Sequence, residues 1–307
     1  MATLPTYVVI TPARNEAQFI ELTIKSVIAQ TVQPLKWVIV SDGSTDETDA
    51  IVEKYLPHNP WIELVQVPRR SERHFAGKVL AFNAGCEKIK TLAYEVIVSL
   101  DGDISIEADY FSFLLGKLAA DPALGLVGTP FKESSNPTYD YRFASIEHVS
   151  GACQVFRRRC FEDVGGYAPV KGGNIDHIAV ITARMKGWKT RTFVEKVCHH
   201  HRPMGTAQQS LLMSRFRNGA KDYAIGNHPL WEMFRSIYQM TKRPLLIGGV
   251  ALALGYFWSA IRSAERPVSE ELVRFYRQEQ MQRLKGLMGR RLASPLGVQS
   301  ASAHRPS

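Results

Sequence analysis

The chain has few cysteines, and none of the four stands in a Cys-x-x-Cys pair. They are Cys86, Cys153, Cys160 and Cys198. Zinc sites and disulfide frameworks use paired or regularly spaced cysteines, so this pattern argues against both and favours a reducing compartment. Residues 1–6 also lack a basic stretch followed by an apolar core. We therefore predict no secretory signal peptide and expect the catalytic part to stay in the cytoplasm.

The first two thirds of the chain lack an excess of either charge. Residues 1–205 contain 23 basic and 23 acidic residues, whereas residues 206–307 contain 15 basic and 6 acidic ones. The whole net charge of +9 therefore belongs to the last third. A basic appendage on a neutral domain predicts an anionic partner, either a membrane surface or a nucleic acid.

Apolar strand patterns and helical patterns alternate over the first hundred residues. We predict strands at 7–11, 37–40, 62–67 and 96–100, and helices at 16–30, 47–55 and 78–88. This alternation predicts an α/β domain over residues 1–205, with a largely parallel sheet flanked by helices. A further strand is predicted at 189–197.

Three of the predicted strands end in polar loops, at residues 12–16, 41–46 and 101–103. In open α/β sheets the carboxyl ends of the strands form the ligand-binding edge, so we expect the three loops to share one crevice. Two aspartates separated by one glycine, Asp101 and Asp103, can share a divalent cation. The second and third of these loops also have simpler interpretations, because residues 44–46 can cap a helix and Asp-Gly is a common turn.

Residues 244–261 form an uncharged stretch near the lower length limit of a membrane span. Basic residues flank it at Lys242, Arg243, Arg262 and Arg266. Because a single span would place the positive tail on the wrong side, an interfacial or re-entrant helix is favoured over a buried soluble helix or a true span. We interpret residues 206–292, with further basic helices at 208–223 and 270–287, as a helical membrane-associating region. Residues 293–307 are predicted to be disordered.

Four motifs together resemble the family 2 glycosyltransferases of the GT-A fold, which is Rossmann-like. They are TPARNE at 11–16, VSDGSTD at 40–46, GKVLAFNAG at 77–85 and LDGD at 100–103. The resemblance covers about residues 5–202. It implies inverting transfer of a sugar from a nucleotide-diphosphate donor, with Mg²⁺ or Mn²⁺ offsetting the charge on the leaving diphosphate.

The resemblance also implies roles for residues on the donor side. Asp103 matches the metal ligand of the family, and Asp101 matches the residue that contacts the ribose or the metal. Asp42 matches the residue that reads the base. Because a carboxylate accepts a hydrogen bond from a uracil N–H, UDP is the expected carrier. The donor residues further include Pro12, Ala13, Arg14 and Glu16, which match the nucleoside loop, and Lys78, which otherwise reads as a surface lysine at a helix start.

On the acceptor side, inversion requires a base that takes the proton of the attacking hydroxyl. The family places an aspartate, usually in a Glu-Asp pair, after a Gly-Gly-aromatic turn. Here the turn is at 165–167 and the pair has become Ile175-Asp176, so Asp176 is the predicted base. A helix N-cap is the alternative role for Asp176.

A run of three histidines at 199–201 matches a region where many GT-A enzymes place a further metal ligand. We predict that His201 contacts the metal and that Arg202 pairs with the diphosphate.

Processive polysaccharide synthases of this kind carry a Gln-x-x-Arg-Trp motif, but Gln208 and Gln209 are followed here by Ser-Leu-Leu-Met. We therefore expect a non-processive enzyme of exopolysaccharide or surface-glycan assembly, which adds one sugar to a lipid-linked or glycan acceptor. The basic last third would hold it on the anionic cytoplasmic face of the cell membrane.

Three rival functions are disfavoured. A sugar nucleotidyltransferase would need a glycine-rich triphosphate loop, and residues 11–16 contain no glycine. A nucleic-acid partner would explain the basic tail but not three acidic loops at one sheet edge. An inactive, membrane-associated nucleotide-sugar-binding protein would not need all of Asp101, Asp103 and Asp176.

Overall fold

The structure, a computed structural model, describes residues 3–68, 76–133, 145–170, 172–202 and 211–292. The chain forms two compact units, Met1–Ser214 and Arg215–Ser307. The domain boundary predicted at residue 205 and the predicted tail at 293–307 lie outside the described residues.

The strands in chain order are β1 Tyr7–Ala13, β2 Lys36–Asp42, β3 Ile62–Val67, β4 Val96–Leu100, β5 Ile104–Ser105, β6 Leu124–Gly128, β7 Phe131–Glu133, β8 Cys153–Arg157, β9 Lys189–Thr192 and β10 Cys198–His200. The helices are α1 Ile20–Ile28, α2 Thr48–Glu53, α3 Ala76–Ile89, α4 Tyr110–Ala120, α5 Arg158–Val164, α6 Ile175–Met185, α7 Leu211–Ala224, α8 Pro229–Met240, α9 Ile247–Ile261 and α10 Glu270–Leu292.

The first unit is built on a seven-stranded sheet of order β3-β2-β1-β4-β8-β6-β9. Strands β1 to β4 are mutually parallel, and only β8 runs antiparallel to its neighbours β4 and β6. Every residue of β4 is buried, as expected for a central strand covered by helices on both faces. The predicted α/β fold with a mostly parallel mixed sheet is confirmed.

Two strands run further toward the carboxyl edge than their sequence pattern predicts. Strand β1 includes Pro12 and Ala13, which pair with Val40 and Ser41 of β2. Asp42 is likewise the last residue of β2 rather than part of a loop. Each strand stays hydrogen-bonded to its parallel neighbour through these last residues, although a proline or a polar side chain at such a position suggests a loop.

Helix α1 begins at Ile20, four residues later than predicted. Asn15 adopts a positive φ of 57°. The next two backbone N–H groups, of Glu16 and Ala17, donate to the side chains of Thr48 and Asp46. These hydrogen bonds hold residues 16 and 17 in a loop. The spacing of apolar residues alone predicts a helix there.

A second, three-stranded sheet has the order β5-β10-β7, and its strand β5 directly follows the Asp-Gly-Asp triplet in sequence. The predicted strand at 189–197 ends at Thr192, and the first two histidines of the run belong to β10 instead. His200 pairs with Ile104 of β5 and with Glu133 of β7. This sheet therefore places His200 next to the residue that follows Asp103.

The second unit is helical, and glycines allow its helices to pack closely. A Cβ on Gly249 of α9 would lie 2.3 Å from the carbonyl oxygen of Ser236 in α8. A Cβ on Gly255 would lie 1.8 Å from the carbonyl oxygen of Phe216 in α7. Larger residues would force these helices apart. Among the described residues, no helix combines the length and the apolar character needed to cross a membrane.

Candidate active site

The polar loops after β1 and β2 bind each other directly at the carboxyl edge of the sheet. The backbone N–H of Asn15 donates to Ser44 Oγ at 3.2 Å, and Asn15 Oδ1 accepts from the backbone N–H of Thr45 at 2.8 Å. Arg14 Nη1 lies 3.7 Å from Asp42 Oδ2. The first two of the three predicted loops therefore lie together at this edge of the sheet.

Asp42 is nearly buried at the end of β2, with 5% of its surface exposed. The start of α3 approaches it closely, since a Cβ on Gly77 would lie 3.2 Å from Asp42 Oδ2. A buried carboxylate at a strand end can accept a hydrogen bond from a base N–H that enters the same crevice.

Lys78 and Asp101 form an ion pair, with Nζ 2.5 Å from Oδ1. Burial lowers the pKa of Lys78, but the carboxylates of Asp101, Asp176 and Asp103 outweigh it, so the pKa is raised overall. Burial raises the pKa of Asp101, against the lowering effect of Lys78. The ammonium group of Lys78 therefore belongs to the site and remains charged.

Asp176 is the second residue of α6, and Asn174 occupies the N-cap position. The N-cap alternative for Asp176 therefore does not hold. Its carboxylate lies over the backbone of Gly151, where an added Cβ would be 2.6 Å from Oδ2. The carbonyl oxygen of the next residue, Ala152, accepts from the backbone N–H of Asp101 at 3.0 Å, so the predicted base lies close to the aspartate triplet.

A buried glutamine, which the sequence patterns did not single out, helps to hold this part of the site. Gln154 of β8 is fully buried. Its Nε2 donates to the carbonyl oxygens of Val149 at 3.2 Å and Asp176 at 3.4 Å. Its Oε1 accepts from Tyr167 Oη at 2.7 Å. A glutamine within an otherwise apolar central strand is the sequence signal that could have identified it.

The histidine whose ring faces Asp103 is His200. Its Nε2 lies 3.5 Å from Asp103 Oδ2, and its Nδ1 lies 3.4 Å from Glu133 Oε1. The predicted ligand, His201, instead has Nε2 2.8 Å from Ser105 Oγ. Side chains alternate along a strand, so the last residue of β10 and the residue after it face different neighbours. Metal binding by His201 stays a prediction, and Glu133 joins the site without having been anticipated.

Arg202 connects the first loop to the aspartate triplet. It forms an ion pair with Glu16, and its Nε lies 3.3 Å from Asp103 Oδ2. Burial and the nearby Asp103 carboxylate raise the pKa of Glu16 to about 7, although Arg202 lowers it. The predicted donor residues Glu16 and Arg202 therefore meet beside Asp103.

The donor set around Asp103 suits a hard divalent cation that completes its coordination with substrate. Within the described ranges, no group of three or more His, Cys, Asp or Glu side chains is arranged to hold a metal by itself. Asp103 and His200 offer one carboxylate and one imidazole. Mg²⁺ and Mn²⁺ sites commonly combine one or two protein ligands with phosphate oxygens and water, so these residues fit such an ion when a nucleotide is bound.

The sequence matches the model of glycosyl transferase family 2 over residues 8–165. The chain belongs to this family. The matched segment contains both aspartates of the triplet, Asp42 and Lys78, and it ends at the glycine turn before Asp176.

Curated relatives match this transferase over about half of its length. Poly-beta-1,6-N-acetyl-D-glucosamine synthase of Staphylococcus aureus (strain COL) is 31% identical over 170 residues, which are 49% of this chain and 39% of the relative. The Staphylococcus epidermidis enzyme of the same name is 26% identical over 172 residues. The chain thus spans about two fifths of the length of these relatives.

Solved structures show the same fold at low sequence identity. A mannosyltransferase from Pyrobaculum calidifontis, in complex with GDP-Man and Mn²⁺, has a TM-score of 0.55 and 21% identity, covering 96% of this chain and 82% of that one. TarS 1–349 of S. aureus with UDP-GlcNAc has a TM-score of 0.54 and 15% identity, covering 88% and 78%. The fold of this family 2 glycosyltransferase is therefore GT-A-like.

Proposed function

We propose that the protein is an inverting, metal-dependent glycosyltransferase that takes N-acetylglucosamine from UDP-GlcNAc. The observation that supports the proposal is the nearness of a cation, a carboxylate and a candidate base. Lys78 pairs with Asp101, and Asp176 packs on Gly151, which precedes the residue whose carbonyl oxygen accepts from the backbone N–H of Asp101. The sugar is suggested by the relatives that make poly-N-acetylglucosamine and by the TarS complex with UDP-GlcNAc. Asp42 suits the uracil N–H.

Each residue has a distinct role in this reaction. Asp176 accepts the proton of the acceptor hydroxyl as its oxygen attacks the anomeric carbon. Lys78 lies beside the carboxylate of Asp101, and Arg202 lies beside that of Asp103. These two cations stabilise the negative charge that develops on the leaving diphosphate. A divalent cation held by Asp103 and His200 would supply further neutralisation of that charge. Gln154 and Gly151 keep Asp176 in place.

The proposed acceptor is a lipid-linked glycan at the cytoplasmic face of the membrane, and one sugar is added per encounter. The absence of Arg-Trp after Gln208 and Gln209 supports single addition, although those glutamines lie outside the described residues. The excess of 15 basic over 6 acidic residues in 206–307 supports an anionic membrane as the place of reaction.

The test is UDP release from UDP-GlcNAc and Mn²⁺ in the presence of bacterial membranes as acceptor source. The parent should turn over, and Asp103→Ala and Asp176→Asn should each lose almost all activity. UDP-GlcNAc should protect against thermal unfolding better than GDP-mannose. Protection without any turnover by the parent would instead favour the alternative, an inactive nucleotide-sugar-binding protein. Variants as active as the parent would overturn the assigned roles.

A further inference from the structure

Helices α8 and α9 of the second unit leave many large apolar side chains in solvent. In α8 these are Leu230, Met233 and Ile237, which are between 48% and 59% exposed. In α9 and the link before it they are Leu245, Leu246, Ile247, Val250, Leu254, Phe257, Trp258 and Ile261, with exposures from 36% to 79%. Single exposed apolar residues are ordinary, whereas a contiguous set marks an interaction surface.

The two helices pack antiparallel. Gly249, near the start of α9, meets Ser236 and Met240 near the end of α8. Tyr256, in the second half of α9, donates its hydroxyl to the carbonyl oxygen of Asn227, just before α8 begins. The helices therefore form a hairpin, and its link is residues 241–246.

The exposed residues of both helices lie on one side of this hairpin. At about 100° per residue, Met233 and Ile237 lie roughly a quarter turn from Ser236, the residue that faces α9. Val250 and Phe257 lie roughly a quarter turn from Gly249, the residue that faces α8. Both quarter turns have the same rotational sense about their own helix axes. Because the two helices are antiparallel and face each other, the two sets of side chains point to the same side of the hairpin. The apolar residues thus form one face, called the hairpin face below.

Basic residues border the hairpin face, and acidic ones are missing from it. No Asp or Glu occurs between residues 233 and 264. Lys242 and Arg243 follow α8, and Arg262 follows α9. Two of these cations sit on aromatic rings: Arg262 lies 4.4 Å from the ring centre of Trp258, and Lys242 lies 5.2 Å from that of Tyr238. Aromatic rings beside cations suit the headgroup level of a bilayer.

We propose that the hairpin face lies flat in an anionic lipid leaflet, with both helices parallel to the membrane plane. The proposal deepens the membrane placement within the proposed function and rests on it. The 15 residues of α9 extend about 22 Å, less than the roughly 30 Å of a hydrocarbon core. A second copy of the chain would fit less well, since two hairpin faces would bring together two like-charged borders.

The test measures binding of the full chain to vesicles by sedimentation, without donor or acceptor. Vesicles of phosphatidylcholine with about 30 mol % phosphatidylglycerol should bind the parent much better than phosphatidylcholine alone. The double variant Ile237→Ser/Leu254→Ser should bind at least about tenfold more weakly. Arg262→Gln should lose about fivefold on anionic vesicles only. Leu22→Ser on α1, where the leucine is 44% exposed, is the matched control and should bind like the parent.

A second measurement follows Trp258 in the otherwise intact chain. Brominated lipids should quench tryptophan fluorescence in the parent, and Trp258→Phe should remove most of that quenching while keeping vesicle binding. Failure of the parent to bind anionic vesicles would overturn the proposal. So would equal binding by the double variant, or a parent dimer that the double variant converts to monomer. Because no substrate is present, these results are independent of transfer activity.

Discussion

The two units each contain a cluster of charged side chains, and the clusters differ in the elements that supply the charged groups. In the first unit, Asp101, Asp103 and Glu16 come from strand ends and loops and share the cations of Lys78 and Arg202. Separate strand ends and loops supply these groups at the carboxyl edge of the sheet. A ligand or an added cation can reach a cluster at that edge.

In the second unit, the carboxylates of Asp222 and Glu232 belong to helices α7 and α8, and neighbouring side chains of the same unit pair with them. Arg235 pairs with Asp222, and its Nη1 lies 3.9 Å from Glu232 Oε2. Asn227 donates to Glu232 Oε2 at 2.9 Å and accepts from Gln280 at 2.9 Å. Burial raises the pKa of Glu232 to about 7 here as it does for Glu16 in the site. A raised pKa therefore does not by itself distinguish a reacting cluster from a structural one, whereas a position at the carboxyl edge of a parallel sheet is typical of ligand-binding sites.

The largest effect should come from the base. Asp176→Asn removes the only proton acceptor assigned to the acceptor side, so kcat should fall about a thousandfold. The affinity for UDP, measured by calorimetry, should stay within about twofold. Asp121→Asn, an exposed aspartate far from the strand edge in the first unit, should leave kcat unchanged. A loss of UDP binding in Asp176→Asn would indicate a donor-side role instead.

Removing the cation of the second cluster should cost stability rather than activity. Arg235→Met leaves Asp222 and Glu232 buried without their charge partner, so the free energy of unfolding should fall by about 3 kcal/mol. Urea unfolding measures this change. Turnover per folded molecule should equal that of the parent; a specific loss of kcat would give this cluster a part in catalysis.

Lys78→Met tests the cation of the first cluster. Loss of the ammonium group beside Asp101 should lower kcat about a hundredfold, because the charge on the leaving diphosphate is less well balanced. Lys78→Arg should recover part of the activity. A stability loss as large as that of Arg235→Met, with normal kcat, would make the Lys78 pair structural.

Gly151→Ala displaces the base without changing its chemistry. The added methyl group would lie 2.6 Å from Asp176 Oδ2, so the carboxylate must shift by some tenths of an ångström. We expect kcat to fall about tenfold at unchanged UDP affinity. Gly172→Ala is the control, since a Cβ there meets nothing within 4 Å.

The smallest expected effect is the contribution of Glu232, in the second cluster, to the pH dependence of the free energy of unfolding. Folding raises the pKa of Glu232 from 4.5 to about 7. Between these two pH values, Glu232 is protonated in the folded chain and ionised in the unfolded chain. The parent should therefore lose stability as pH rises from about 4.5 to about 7. Glu232→Gln should lack this part of the decline. Identical pH profiles from urea unfolding would contradict the assignment.

The sequence predicts most of the fold around the candidate site but not its finest geometry. Strand β4 was predicted with its observed bounds, because a continuous apolar run before Asp-Gly-Asp has few other interpretations. The sequence favours His201 over His200, but which ring faces Asp103 depends on how β10 pairs with β5 and β7. Those strands are remote in sequence and only two or three residues long.

Gln154 and Glu133 were missed for a related reason. Gln154 acquires its role only when folding brings Asp176 and Tyr167 close to it. Glu133 acquires its role only when folding brings His200 close to it. Membrane association of the second unit was inferred from charge and apolar content, and it remains a prediction to be tested at the hairpin face.

The stereochemistry of transfer tests the central claim most directly. If Asp176 activates the acceptor opposite the diphosphate, sugar taken from the α-linked UDP-GlcNAc must leave the enzyme as the β-anomer. Proton NMR of the first product formed, with acceptor or with water in its place, reports the configuration through the coupling of the anomeric proton. We predict the large coupling of a β-linked sugar. The small coupling of an α-linked product would contradict the account.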